Sequence, residues 1–208
     1  MNLEEIRYAL ASPRPGRAAQ TRMSPQPRPG DVFPLPPEIN PKEAGVLILL
    51  FPVNGDLHFF LTRRTDTVET HKGQISLPGG AQEAGESLQE TAIREICEEL
   101  NLDSKNFQVL GELSPIYIPI SGFRVTPFVA LAPMRPDFTA EPGEVVEVIE
   151  TALSSILDEK NVIEEEWEIR GFKARVPFFQ INGHKVWGAT AMILGEFAEM
   201  LKRTAEVC

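Results

Sequence analysis

Three glutamates, Glu95, Glu98 and Glu99, stand close together near the middle of a chain of 208 residues. On a helix, at 100° per residue, they fall within about a 100° arc and make one acidic face. Such a face is costly without a partner. Glu95 and Glu99 are like charges four residues apart, a pair that costs roughly 0.2–0.5 kcal/mol, and the C-terminal half of a helix disfavours anions. A divalent cation reverses the sign of that cost, because three carboxylates plus water suit a hard ion such as Mg2+ or Mn2+. For the helix taken alone, a solvated acidic surface is the competing reading. Two neighbouring features bear on the choice. Gly79 and Gly80, just before the helix, let a backbone carbonyl or amide come close to a metal or a phosphate, although an ordinary turn would use them too. Arg94 directly precedes Glu95 and can pair with a carboxylate and hold it in place; otherwise it makes a surface ion pair of little worth.

The helix that must carry these residues is well delimited. Ser87-x-x-Glu90 is a capping box. Ala92, Ile93, Ile96, Cys97 and Leu100 form its apolar side, and Asn101 tolerates the left-handed conformation needed at its end. A helix is therefore expected over about 88–100. Upstream, Gly45–Phe51 is an apolar run of buried-strand length. Asn54-Gly55 marks a hairpin turn, and a returning strand is expected over 57–63. Residues 65–80 read as a long polar loop. Further strands are expected at 107–112, 124–132 and 145–149, with a small helix near 151–157. A second hairpin at Asn182-Gly183 joins strands at 176–181 and 185–187, and a last helix covers about 190–204. Strands and helices mixed in this way indicate an α/β or α+β sandwich. At the N-terminus, Leu3, Ile6 and Leu10 suggest a short amphipathic helix over 2–11. Residues 12–41 hold nine of the 18 prolines and read as an extended Pro-rich arm, wrapped on the domain or reaching a partner subunit. The chain thus divides into residues 1–41, short helix and arm, and residues 42–208, the folded domain that carries the glutamates.

A net charge of −10 argues against broad electrostatic binding to nucleic acid or to an anionic membrane. No apolar run reaches the length of a membrane span. The segment MNLEEIRYAL does not read as a signal peptide. Cys97 and Cys208 cannot build a disulfide framework. The expectation is a cytoplasmic protein with two free thiols.

Gly80 to Leu102 reads GAQEAGESLQETAIREICEELNL. This resembles the Nudix box, G-x5-E-x7-R-E-U-x-E-E-x-G-U, where U is a bulky aliphatic residue. Gly80, Glu86, Arg94, Glu95, Ile96, Glu98, Glu99 and Leu102 match at the right spacing, and Asn101 stands where the pattern has Gly. The preceding segment, FLTRRTDTVETHKGQISLPGG from Phe60 to Gly80, resembles the one found in coenzyme A pyrophosphatases, L-L-T-x-R-S-x3-R-x3-G-x3-F-P-G-G. Leu61, Thr62, Arg64, Gly73, Pro78, Gly79 and Gly80 match. Phe60, Thr65 and Leu77 depart mildly, and Glu69 replaces an Arg with the opposite charge. Ser121-Gly122-Phe123, Pro127-Phe128-Val129 and VWGATAMIL from Val186 to Leu194 are similar to that subfamily as well.

The resemblance implies a Nudix-type α/β/α sandwich with a mixed β-sheet, and makes 42–208 the Nudix hydrolase domain. It implies that Glu95, Glu98 and Glu99 hold Mg2+ or Mn2+, with the Gly79 carbonyl as a further ligand. A water activated on the metal would attack phosphorus and displace a phosphoryl leaving group. The implied catalytic set is Glu95, Glu98, Glu99, Arg94 and an acid that acts as base. That base is Glu95 itself or one of Glu141, Glu144 and Glu147, with Glu144 the first choice because it precedes a β-like run; a solvated acidic loop is the competing reading for these three. Gly79 and Gly80 would meet the substrate; Arg63 and Arg64, the latter at the family's motif position, are phosphate contacts or surface ion pairs. Tyr117 and Phe123 could stack on a base or fill the core, and Trp187, His71 and His184 read as structural. A homodimer is the family-level expectation. The substrate implied is a nucleotide-linked diphosphate, coenzyme A or a derivative. Glu69 keeps ADP-ribose or a nucleoside diphosphate sugar open, a nucleoside triphosphate ranks third, and a non-catalytic ligand-binding regulator is opposed by the intact set of carboxylates.

Overall fold

A computed structural model describes residues 2–27, 39–65, 74–169 and 171–205, the side chains of residues 64 and 172 apart. In chain order the elements are helices α1 (Leu3–Ala11) and α2 (Arg17–Gln20), strands β1 (Lys42–Val53), β2 (Asp56–Arg64), β3 (Ile75–Ser76) and β4 (Gly79–Ala81), and helix α3 (Leu88–Leu100). Then come β5 (Gln108–Glu112), β6 (Ile116–Ile118), β7 (Phe123–Leu131), β8 (Val145–Ala152), α4 (Ser154–Leu157), β9 (Val162–Ile169), β10 (Phe172–Ile181), β11 (His184–Val186) and α5 (Gly188–Ala205).

The apolar run at Gly45–Phe51 forms the middle of β1 and is covered on both faces. Leu47, Leu49 and Phe51 pack with Ala92, Ile96 and Leu100 of α3. Ile48 and Leu50 pack on the other side with Leu194, Phe197 and Leu201 of α5. One sheet between two helical layers is thus the direct consequence of a strand whose alternate residues are all apolar. Asn54 and Gly55 turn the chain with φ of 51° and 91°, the two positive values that a tight hairpin of this kind needs. β1 runs parallel to β7, from Lys42 opposite Phe123 to Leu50 opposite Leu131, and antiparallel to β2 and β4, so the sheet is mixed. β8 pairs antiparallel with β2 along most of its length. β9, β10 and β11 form a second, three-stranded sheet.

Several expectations are corrected. The stretch 65–80 is not all loop: β3 pairs with Thr62 and Arg63, and β4 pairs with Ala44–Val46. β6 and β9 were not expected. β9 reads VIEEEWEI, whose acids suggest a solvated loop, but it is paired through β10 alone and leaves its charges at an exposed edge. Within the segment read as an extended arm, Arg17–Met23 is helical, as α2 and a 3-10 turn at Thr21–Met23. These residues carry no proline, and they bury Ala19 and Met23. Their anchor is Glu196 of α5, which is fully buried. Its carboxylate accepts hydrogen bonds from Gly16 N at 3.0 Å, Gln20 Nε2 at 2.9 Å and Ser114 N at 3.2 Å. Pro29, Pro34, Pro36 and Pro37 lie outside the described residues, as do Glu69, His71, Gly73 and Cys208. No helix of the described residues is long and apolar enough to cross a membrane.

Candidate active site

Helix α3 begins as its sequence requires. The Ser87 hydroxyl accepts from Glu90 N at 3.2 Å, and the Glu90 carboxylate takes the Ser87 N–H at 2.7 Å. Asn101 ends the helix at φ 52°, ψ 48°, in the left-handed conformation, so its departure from the glycine of the pattern leaves the geometry intact. The helix lies hard against β1 because Gly45 has no side chain. A Cβ there would stand 3.0 Å from Ala92 N and closer still to the Leu88 carbonyl.

On the open side of α3 the charges converge on Arg94. Its guanidinium grips Glu86 with two prongs, Nε to Oε2 at 3.1 Å and Nη2 to Oε1 at 2.9 Å. Nη1 donates to both Glu95 Oε1 and Glu98 Oε2 at 2.9 Å. Nη2 also reaches the Ala81 carbonyl at 3.2 Å, which ties the helix to β4. Glu99 points inward. It is 4% exposed, and its oxygens accept from Gly79 N at 3.3 Å and from the Thr62 hydroxyl at 3.4 Å. Gly80 faces Glu95 so closely that a Cβ would sit 2.5 Å from Glu95 Oε2. The last carbonyls of α3, which have no partner within the helix, take amides from the segment between β7 and β8: Glu141 N donates to Glu99 O at 2.8 Å and Thr139 N to Leu100 O at 3.0 Å. That capping delivers Glu144 to the start of β8, beside the acidic face.

The electrostatics follow from this layout. Hydrogen bonding to Arg94 pulls the Glu86 carboxyl down to about 2. Burial pushes the Glu95 carboxyl up, and the charges of Glu98 and Glu144 push the same way against the pull of Arg94. A half-buried carboxylate with two anionic neighbours is a place where a cation is stabilised.

The structure therefore brings Gly79, Gly80, Arg94, Glu95, Glu98 and Glu99 together and sets the exposed Glu144 within Coulombic reach of Glu95. Arg64 stands opposite Val145 at the end of β2, after an irregularity between Arg63 and Arg64; its side chain lies outside the described residues. Arg63 is not part of this group. Its Nε pairs with Glu147 at 2.9 Å, so Glu147 is engaged as well. Strand alternation carries the signal: Arg63 lies one residue from Thr62 and so on the opposite face. His184 has a partner that no local pattern shows, Glu147 Oε1 at 3.2 Å. Phe123 packs against the core beneath Lys42, whose Nζ is 5.8 Å from the ring centroid. Trp187 packs edge-on against Trp167, centroids 5.3 Å apart, in keeping with a structural role. Thr62 is matched in the upstream motif, but its contact with Glu99 is visible only in the fold.

Among the described residues, no three side chains of His, Cys, Asp or Glu stand as a ready-made metal cage. In this arrangement Arg94 takes one oxygen each of Glu95 and Glu98. The donor set is nonetheless all carboxylate oxygen, and burial and like charge work against a bare Glu95. Those properties fit a hard divalent ion such as Mg2+ or Mn2+.

Comparison with known proteins agrees with this geometry. A family model described as NUDIX domain matches residues 41–178. A protein of Photorhabdus laumondii named uncharacterized Nudix hydrolase NudL is 36% identical over 143 residues, which cover 68% of this chain and 76% of that one. Nudix hydrolase 22, chloroplastic, of Arabidopsis thaliana is 38% identical over 167 residues, 76% of this chain and 55% of its own length. Among solved structures, a MutT/nudix family protein from Enterococcus faecalis aligns with a TM-score of 0.53 at 17% identity, over 83% of this chain and 65% of that one. The MutT protein of Methanosarcina mazei Go1 aligns with a TM-score of 0.51 at 19% identity, over 82% and 96%. At such identities the structures speak for the fold alone, the mixed-sheet α/β/α sandwich described above. With a family model spanning most of the chain, curated relatives above 30% identity and the carboxylate face of α3 in place, this chain belongs to the Nudix hydrolase family.

Proposed function

We propose that this hydrolase cleaves the diphosphate bond of a nucleoside diphosphate linked to another moiety, with coenzyme A or a derivative as the substrate. The observation that carries the reading is the convergence of Glu95 and Glu98 on Arg94, with Glu99 set into the sheet behind them and Gly79-Gly80 beside them. A bound Mg2+ or Mn2+ would neutralise diphosphate oxygens and lower the pKa of a water. The chain's own residues do the rest. Glu95, Glu98 and Glu99 would hold the ion, joined by the Gly79 carbonyl. Arg94, fixed by Glu86, keeps two of those carboxylates aimed at one place. Gly80 leaves space for Glu95 and lets its own backbone come close to the substrate phosphates. Glu144, exposed at the head of β8, takes the proton of the attacking water. Arg64 contacts the substrate phosphates. The bond formed is water oxygen to phosphorus, and the bond broken is phosphorus to the bridging oxygen, which leaves with the second phosphate.

The choice of coenzyme A rests on the upstream motif. Two of its members, Thr62 and Gly79, meet at Glu99. Glu69, where that motif has an Arg, favours a second reading, ADP-ribose or a nucleoside diphosphate sugar. The net charge of −10 supports an enzyme without nucleic-acid or membrane partners; a cytoplasmic location, read from cysteines too few for a disulfide framework, and a homodimer, expected from the family, complete the proposal. The test is product analysis on coenzyme A, ADP-ribose, a nucleotide sugar and a nucleoside triphosphate, each with Mg2+ and with Mn2+. Splitting of coenzyme A into 4′-phosphopantetheine and 3′,5′-ADP supports the first reading. Preference for ADP-ribose or the sugar moves the assignment to the second.

A further inference from the structure

Glu99 is the withdrawn member of the acidic face. It is 4% exposed, whereas the side chain of Glu98 is 61% exposed. A buried carboxylate must be met by donors, and those of Glu99 include two neutral groups from separate strands. Gly79 N, at the start of β4, donates to Oε1 at 3.3 Å. The Thr62 hydroxyl, on β2, donates to Oε2 at 3.4 Å. Both are long, since the usual O–H···O separation is about 2.7–2.8 Å. Contacts of this length orient the carboxylate. Thr62 is suited to the task. It is fully buried, its backbone lies between Ser76 of β3 and Val148 of β8, and a β-branched side chain is stiff at χ1. Its hydroxyl is therefore fixed in space by the sheet.

We propose that Thr62 is a positioning residue, whose hydroxyl holds the Glu99 carboxylate in the orientation that binds a divalent cation on the acidic face of α3. The inference rests on the reading of that face as a metal site. Partners of this kind typically contribute 10–100-fold to metal affinity or activity, and a contact this long belongs at the low end.

The experiment is titration of Mn2+ alone into the full-length protein, followed by the electron paramagnetic resonance of free Mn2+, for wild type, Thr62→Val, Thr62→Ser and Glu99→Gln. Thr62→Val preserves shape and removes the hydroxyl; it should weaken Mn2+ binding about tenfold. Thr62→Ser should restore binding to near the wild-type value. At saturating metal, KM for the diphosphate substrate should not change in either. A residue that only supports the fold would shift the melting temperature and leave Mn2+ affinity alone. If Thr62→Val binds Mn2+ like wild type while Glu99→Gln loses it, the role given to Thr62 is wrong and the metal site stands. If Glu99→Gln binds like wild type, the metal-site reading fails and the Thr62 proposal with it. Should Thr62→Val not fold, Thr62→Ala is judged by the same affinities.

Discussion

Gly80→Ala separates the chemistry of this site from its stability. A Cβ at position 80 would lie 2.5 Å from Glu95 Oε2. An ordinary contact needs roughly 3.5 Å, so the carboxylate must retreat by about 1 Å. Glu95 is the end of a flexible side chain, so the retreat costs the fold little, but it breaks the alignment of Glu95 with Glu98 on Arg94. Misplacement of about 1 Å in a catalytic group can cost about 100-fold in rate. The expected outcome is a fall of that order in kcat/KM on the diphosphate substrate, with a melting temperature close to wild type. Gly45→Ala is the counterpart: its Cβ meets the backbone of α3 at Leu88 and Ala92. Backbone cannot swing aside, so overpacking should cost about 1–3 kcal/mol of stability. Steady-state kinetics and thermal melts on both variants decide the matter. Gly80→Ala turning over within threefold of wild type would show that the position of Glu95 does not depend on the space at Gly80.

Glu98→Gln and Glu99→Gln should each lower turnover by orders of magnitude with the fold intact by circular dichroism; near-full rate in either would dismiss the site. Arg94→Lys loses the two-pronged hold on Glu86; kcat should drop roughly 10–100-fold, and an unchanged kcat would show that Arg94 does not order the carboxylates. Glu86 has its folded carboxyl lowered from 4.5 to about 2 by Arg94. Because the folded value is the lower one, its stabilisation is complete above 4.5 and drains away as the pH falls toward 2. Glu86→Gln in metal-free buffer should flatten the melting curve in that window, and curves parallel to wild type would contradict the assignment. Glu196→Leu strands the N–H groups of Gly16 and Ser114, at about 1–3 kcal/mol each; a loss of less than 1 kcal/mol in urea would mean that the N-terminal segment is not anchored there.

The site was legible where its parts are local. The capping box, the left-handed Asn101 and the acidic face of α3 are consequences of spacing along one helix, and they stand where spacing puts them. Both Asn-Gly hairpins are equally local. What could not be read depends on elements distant in sequence. Thr62 meets Glu99 across 37 residues, and His184 meets Glu147 across another 37. β9 is a strand only because β10 pairs with it; its own acids argue against one. Arg17–Met23 is short, and its helix is held by Glu196 from the far end of the chain. Neighbours in sequence fix periods and caps, whereas long-range pairing selects which weak segments become structure.

The most direct test of the central claim is 31P NMR of coenzyme A incubated with the full-length protein, first with chelator, then with Mg2+ or Mn2+ restored, beside Glu99→Gln. The diphosphate signals should give way to phosphomonoester signals only when the ion is restored, and not in the variant. Persistence of the diphosphate under every condition, or cleavage that ignores both the chelator and the loss of Glu99, would contradict that claim.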